Sequence, residues 1–269
     1  VPITLPGAAS LALLPLLEEP PRPARVLGGW PGAAHLGTAS GEVVTVVGPG
    51  GLRLPNAVVV PSPWEPPAGG EVLVGGGGLA AGASWRVRVV RTWDPAPRLG
   101  PVDASRLPSR LEGLQAGLVA AGRHPWTSFP ASLVAALARR DLGGAVAAAQ
   151  PLLGLGPGLT PAGDDMLVGM LAAVRHLAAD GDVAGAWGSE IAARAGEGTT
   201  SLSATLLRLA SRGQILPQVG QVLQALATGS GLRRALHGLL AVGHSSGPEM
   251  AWGLLWGGLA SVGRAGEVP

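Results

Sequence analysis

Two adjacent carboxylates, Asp164 and Asp165, close a glycine-rich loop, Gly154-Leu-Gly-Pro-Gly-Leu-Thr-Pro-Ala-Gly-Asp-Asp165, and the apolar run behind them reads as a helix. Glycines at 156, 158 and 163 let backbone amides approach a ligand closely, and a helix N-terminus adds unpaired N–H donors and partial positive charge. With the Thr160 hydroxyl as a further donor, such a loop holds an anion. The paired carboxylates complicate this, because they repel a phosphate unless an acid–base role or a cation reconciles them. A single Asp at this position would read as a helix cap. Two of them, in a loop stiffened by Pro157 and Pro161, point to function.

Two later loops have the same form. Gly196-Glu-Gly-Thr-Thr-Ser-Leu-Ser203 enters an apolar helix, and the hydroxyls of Thr199, Thr200 and Ser201 suit capping or donation to an anion; taken alone, the loop favours capping. Gly243-His-Ser-Ser-Gly247 enters a helix over 249–259, with His244 and Ser246 in a glycine-flanked polar cluster. His35, His124, His176 and His237 lie in apolar or loop contexts and read as ordinary satisfied histidines. The third loop also matches G-x-S-x-G, the nucleophile elbow of serine hydrolases. That chemistry needs a histidine later in the chain, and none follows His244. Gly154-Leu-Gly156-Pro-Gly158 likewise suggests a dinucleotide loop, but the segment before it reads as helix rather than strand.

The elements that must position these loops fall into two textures. Over 25–93 the chain alternates β-rich runs with Gly/Pro punctuation, giving strand expectations at 43–47, 57–60, 72–74 and 85–90 and turns at 48–51 and 75–78. In the last strand Trp85, Val87 and Val89 share a face. After Pro95-Ala-Pro97 the chain turns Ala/Leu-rich with helical spacing, over 107–121, 131–149, 164–179, 184–195, 203–212, 219–227, 232–242 and 249–262. The expected fold is α+β: a β-rich, small barrel-like domain over 1–100, then an all-helical domain of six to eight helices over 101–269 carrying all three loops.

Composition narrows the chemistry. The chain has 269 residues, 47% of them hydrophobic, enough for a real core. Cysteine is absent, so disulfides, thiolate nucleophiles and sulfur-bound zinc are out, which fits a reducing compartment. Lysine is absent too, which removes P-loop and Schiff-base chemistry. The isoelectric point near 10.7 comes from arginine's high pKa and the lack of Lys, Tyr and Cys; the formal net charge is only +2. Arginines are spread singly apart from Arg139-Arg140 and Arg233-Arg234, so no basic stripe for nucleic acid is expected. The start of the chain lacks a basic region and is interrupted by Pro2, Pro6 and Pro15, and no long uninterrupted apolar stretch follows. Neither a secretion signal nor a membrane span is expected, and a cytoplasmic location is. Eight tryptophans beside one phenylalanine read as core and interface filler.

The run at 154–165, then Thr199-Thr-x-x-Ser203, then Gly243-His-x-Ser-Gly247, resembles the AllH-like family over about 150–262. The N-terminal half resembles it only loosely, through Pro55-Asn56 and the valines after them. Where the family's third motif continues with an aspartate this chain has Glu249, which keeps the charge. The resemblance implies a subunit of an oxamate carbamoyltransferase working with FdrA-like and AllG-like subunits at the end of allantoin (purine) breakdown. The reaction exchanges oxalurate and phosphate for oxamate and carbamoyl phosphate. Carbamoyl transfer needs oriented reactants and donors aimed at a tetrahedral oxyanion, and it needs neither Lys nor Cys. On this reading the amides of Gly156, Gly158, Gly163 and Gly247, with Thr160, Thr199, Thr200 and Ser203, hold the anionic groups. Asp164 or Asp165 orients the nitrogen or binds Mg²⁺, a hard, oxygen-preferring ion, while His244 and Ser246 polarise the carbonyl or shuttle a proton. Two alternatives stay open: a non-catalytic subunit that binds a small carboxylate, and a metal-dependent hydrolase built on Asp164 and Asp165.

Overall fold

A computed structural model describes residues 3–61, 71–82, 85–125, 130–178 and 181–263. Their contacts divide the chain into two compact units, Val1–Pro95 and Ala96–Pro269.

The first unit is a closed barrel. Its described strands are β1 (Ile3–Ser10), β2 (Arg22–Trp30), β3 (Ala33–Thr38), β4 (Val43–Val47), β5 (Ala57–Val59), β6 (Val72–Gly75), β7 (Gly78–Ala81) and β8 (Trp85–Trp93), with a short helix α1 (Leu14–Glu18) after β1. They close in the order β1-β5-β4-β3-β2-β6-β7-β8, with β1–β8 and β4–β5 parallel and the other pairs antiparallel. Closure covers the sheet edges that a chain with few charges would otherwise leave open. Val44, Val46, Val58, Val72, Val74 and Val87 form the core, with Trp85 and Val89 packed against it, the face that the alternation in β8 predicts. Strands β1, β2, β3 and β7 are not evident from the sequence. Pro6 interrupts β1, and the Gly28-Gly29 pair and small residues dilute β2 and β3, so pairing across the barrel rather than local propensity makes them strands.

The second unit is helical: α2 (Leu107–Ala120), α3 (Ala131–Ala138), α4 (Leu142–Ala149), α5 (Ala162–Leu177), α6 (Gly181–Gly198), α7 (Ser201–Ser211), α8 (Pro217–Thr228), α9 (Leu232–Leu240) and α10 (Ser246–Ser261). The run expected as one helix over 131–149 is two, because Arg140 turns into a positive φ of 60° and Asp141 starts a new helix by accepting from the Gly144 amide. Helices α5 and α10 form the centre and are buried over nearly their whole length. They run side by side in one direction: Thr160, just before α5, touches Ser246 at the start of α10, and Ala173 lies against Gly257 further along. Glycines make this close approach possible. A Cβ on Gly169 would lie 2.2 Å from the Met250 carbonyl oxygen, and one on Gly253 would lie 2.1 Å from that of Met166. Backbone therefore packs on backbone, and both N-termini arrive at the same place. No helix among the described residues is long and apolar enough to cross a membrane.

Candidate functional site

Parallel helices bring two positive dipole ends together, an unfavourable arrangement unless negative charge sits between them. Acids in the first turns supply it: Asp164 and Asp165 in α5, Glu249 in α10, each no more than 3% exposed. Neither aspartate caps its helix. The N-cap of α5 is Pro161, and the Asp164 and Asp165 amides both donate back to its carbonyl. These carboxylates thus stand three and four positions past the N-cap, free of the capping role that would have explained a lone acid.

Successive positions on a helix point about 100° apart, so the neighbouring aspartates meet different partners. Asp164 has both oxygens engaged. Oδ1 accepts from the Gly154 amide at 2.9 Å, and Oδ2 accepts from the Thr199 hydroxyl. It ties the first loop to the second. Burial raises its pKa, with the hydroxyls of Thr199 and Ser203 and the Gly154 amide pulling the other way. Asp165 faces α10 instead. Its Oδ2 is buried and has no hydrogen-bond partner. Burial pushes its pKa from 3.8 up to about 7, the Ser246 and Thr160 hydroxyls offset this in part, and the charges of Asp164 and Glu249 add to it.

The three loops meet here. Thr160 Oγ1 and Ser246 Oγ are 3.1 Å apart, joining the first loop to the third. Thr200 caps α7, accepting from the Ser203 amide at 3.1 Å, and its own hydroxyl donates to the Leu159 carbonyl at 2.6 Å. The Ser203 hydroxyl reaches the same carbonyl at 3.5 Å. That carbonyl, which no side-chain pattern signals, is what fastens the second loop to the first.

Other anticipated residues have structural partners. The Gly163 amide donates to the Leu155 carbonyl and the Gly247 amide to that of Val242. At both positions a Cβ would run into a carbonyl oxygen, 2.1 Å from Leu152 and 1.9 Å from Leu239, so these glycines allow close packing. Gly156 and Gly158 differ. They hold positive φ of 115° and 96°, and among the described residues no partner takes their amides or those of Leu159 and Thr160. His244 is exposed in the turn before α10 and makes no hydrogen bond with another described residue. Of the oxygens considered for Mg²⁺, those of Asp164 are already occupied, which leaves Asp165 with the Thr160 and Ser246 hydroxyls. The described residues contain no group of three His, Asp or Glu side chains placed to share an ion.

The arrangement defines a class before it suggests a reaction: an α+β protein whose helical unit gathers three helix N-termini around unengaged backbone amides and a buried carboxyl that titrates near neutrality. Residues 152–258, within that unit and covering all three loops, match the family described as oxamate carbamoyltransferase subunit AllH. No curated protein and no solved structure matches the chain.

Proposed function

We propose that the chain is the subunit of an oxamate-type carbamoyltransferase that binds the reacting groups, and that Asp165 moves the proton. The observation that carries this reading is at Asp165: a carboxyl with one buried oxygen lacking any partner, set against the Thr160 hydroxyl of a loop whose four backbone amides at 156 and 158–160 have no partner among the described residues. A phosphate or carboxylate fits the amides of 156–160, and an N–H or carbonyl fits the orphaned oxygen, depending on its protonation. The AllH match supports carbamoyl transfer as the chemistry and a multi-subunit enzyme as its setting.

In the phosphorolytic direction a phosphate oxygen attacks the carbamoyl carbon of oxalurate, the C–N bond breaks, and the leaving oxamate nitrogen takes a proton. Asp165, near pH 7, holds that proton in a sizeable fraction of molecules and accepts it again in the reverse direction, the match of pKa to working pH that two-way acid–base catalysis requires. Ser246 positions the Asp165 carboxyl, and His244 polarises the carbamoyl carbonyl. Asp164 holds the loops, not the substrate.

The test is turnover of carbamoyl phosphate and oxamate by the chain assembled with FdrA-like and AllG-like subunits. Asp165→Asn should lower it by about two to three orders of magnitude. Full turnover by this variant, or chelator-sensitive hydrolysis by the isolated wild-type chain, would sink the proposal. If ligand binding persists in the complex and every variant of the three loops turns over normally, the chain is instead a binding subunit.

A further inference from the structure

A second feature lies in the barrel, on the outer side of β6, β7, β8 and β1. A groove of about 720 Å³ is walled by Thr4, Pro21, Leu73, Arg86 and Arg88 and floored by the hairpin over 75–80. Alternation in β8 turns Val87 into the core and sends Arg86 and Arg88 outward, both exposed. The cross-strand neighbours are small or uncharged: Thr4 and Ala80 beside Arg86, Gly78 and Pro6 beside Arg88. Among the described residues no acidic side chain lines the groove. Neither arginine forms an ion pair or side-chain hydrogen bond with a described residue, although Arg22, on nearby β2, is paired with Glu19.

Two like charges on one strand face repel each other, and no described acidic side chain is paired with either of them. The glycine turn does not make a phosphate cradle, because the Gly76 amide donates to the Glu19 carbonyl and the Gly77 amide to the Leu17 carbonyl, each at 2.8 Å. The anion-binding groups are therefore the guanidiniums alone, whose planar forks suit carboxylates. Outward positions two apart on a strand are about 7 Å apart. Alternate side chains of an extended peptide have the same spacing. Leu73, 37% exposed, adds an apolar contact at the groove's other wall.

We propose that this face docks an extended segment of a partner protein carrying carboxylates at alternate positions, with Arg86 and Arg88 taking one each. The inference is independent of carbamoyl transfer, and its test needs no turnover. Two labelled synthetic peptides of identical composition, one alternating Glu with Thr and one with the glutamates in a block, are titrated against the full chain at low salt by fluorescence anisotropy. The alternating peptide should bind at least about fivefold tighter, and Arg86→Gln with Arg88→Gln should weaken it about tenfold at an unchanged unfolding temperature. Equal binding of both peptides, no binding of the alternating one, or undiminished binding by the double variant overturns the proposal. So does displacement of the peptide by equimolar inorganic pyrophosphate, which would make the groove a small-anion site.

Discussion

The barrel and the helical unit each bury a titratable side chain, and they treat it in opposite ways. In the barrel His35, 5% exposed, has its Nδ1 2.9 Å from the Thr45 hydroxyl and an edge-on contact with Trp30, and burial lowers its pKa to about 4, so the ring is neutral at pH 7. In the helical unit Asp165 is at least as deeply buried, yet one oxygen has no partner and burial raises its pKa to about 7. A group that serves only the fold is neutral and satisfied. One left half-satisfied at a meeting of loops costs stability, as the proposed proton-transfer role of Asp165 requires.

The largest effect is expected for Asp165→Asn. Besides the loss of turnover, this variant should unfold at a higher temperature than wild type at pH 8. The native carboxyl titrates near 7 against 3.8 unfolded, so its contribution to stability is full below about pH 4 and is lost as pH rises through 7. The gain at pH 8 is at most about 4 kcal/mol and should vanish at pH 4. A variant less stable than wild type at pH 8 would mean that Asp165 is a structural acid like any other.

Next in size, Gly253→Ala sharpens the contrast from the side of the scaffold. It should cost about 3 kcal/mol or more by forcing α5 and α10 apart at Met166, the residue after Asp165, and it should weaken activity by disturbing the Thr160–Ser246 contact. Chemical denaturation with parallel kinetics reads both. Similar in magnitude, the barrel should lose up to about 3 kcal/mol as pH falls from 6.5 towards 4, since the unfolded chain takes up the proton that buried His35 refuses. Hydrogen exchange corrected for intrinsic rates should show this in barrel peptides, and His35→Gln should abolish it. The smallest effect is expected for Thr199→Val, which removes a donor from Asp164. About 1 to 2 kcal/mol of stability and a several-fold rise in KM should follow, with kcat nearly kept, if Asp164 acts by holding the loops.

Much of this was legible along the chain. The change from β-rich to Ala/Leu-rich texture marks a barrel followed by helices, and the three glycine-containing loops are visible by composition alone. Capping by a hydroxyl, the favoured reading of the second loop taken singly, is what the structure has, and Thr200 is the residue that does it. The strands of low β-propensity were not legible, because barrel closure makes them. Nor was the fastening of two loops to the Leu159 carbonyl, since a backbone acceptor carries no residue signature.

Sequence by itself determined which groups are available: adjacent acids in a first helical turn, flexible glycines ahead of them, hydroxyls in two later loops, and neither Lys nor Cys. Tertiary structure alone decided how the acids divide their work. Only the parallel packing of α5 on α10 turns Asp165 towards Ser246 and Glu249 while Asp164 is engaged by Gly154 and Thr199. That packing depends on two helices 84 residues apart at their starts, Ala162 and Ser246, meeting backbone to backbone at glycines, a long-range contact no local pattern can encode.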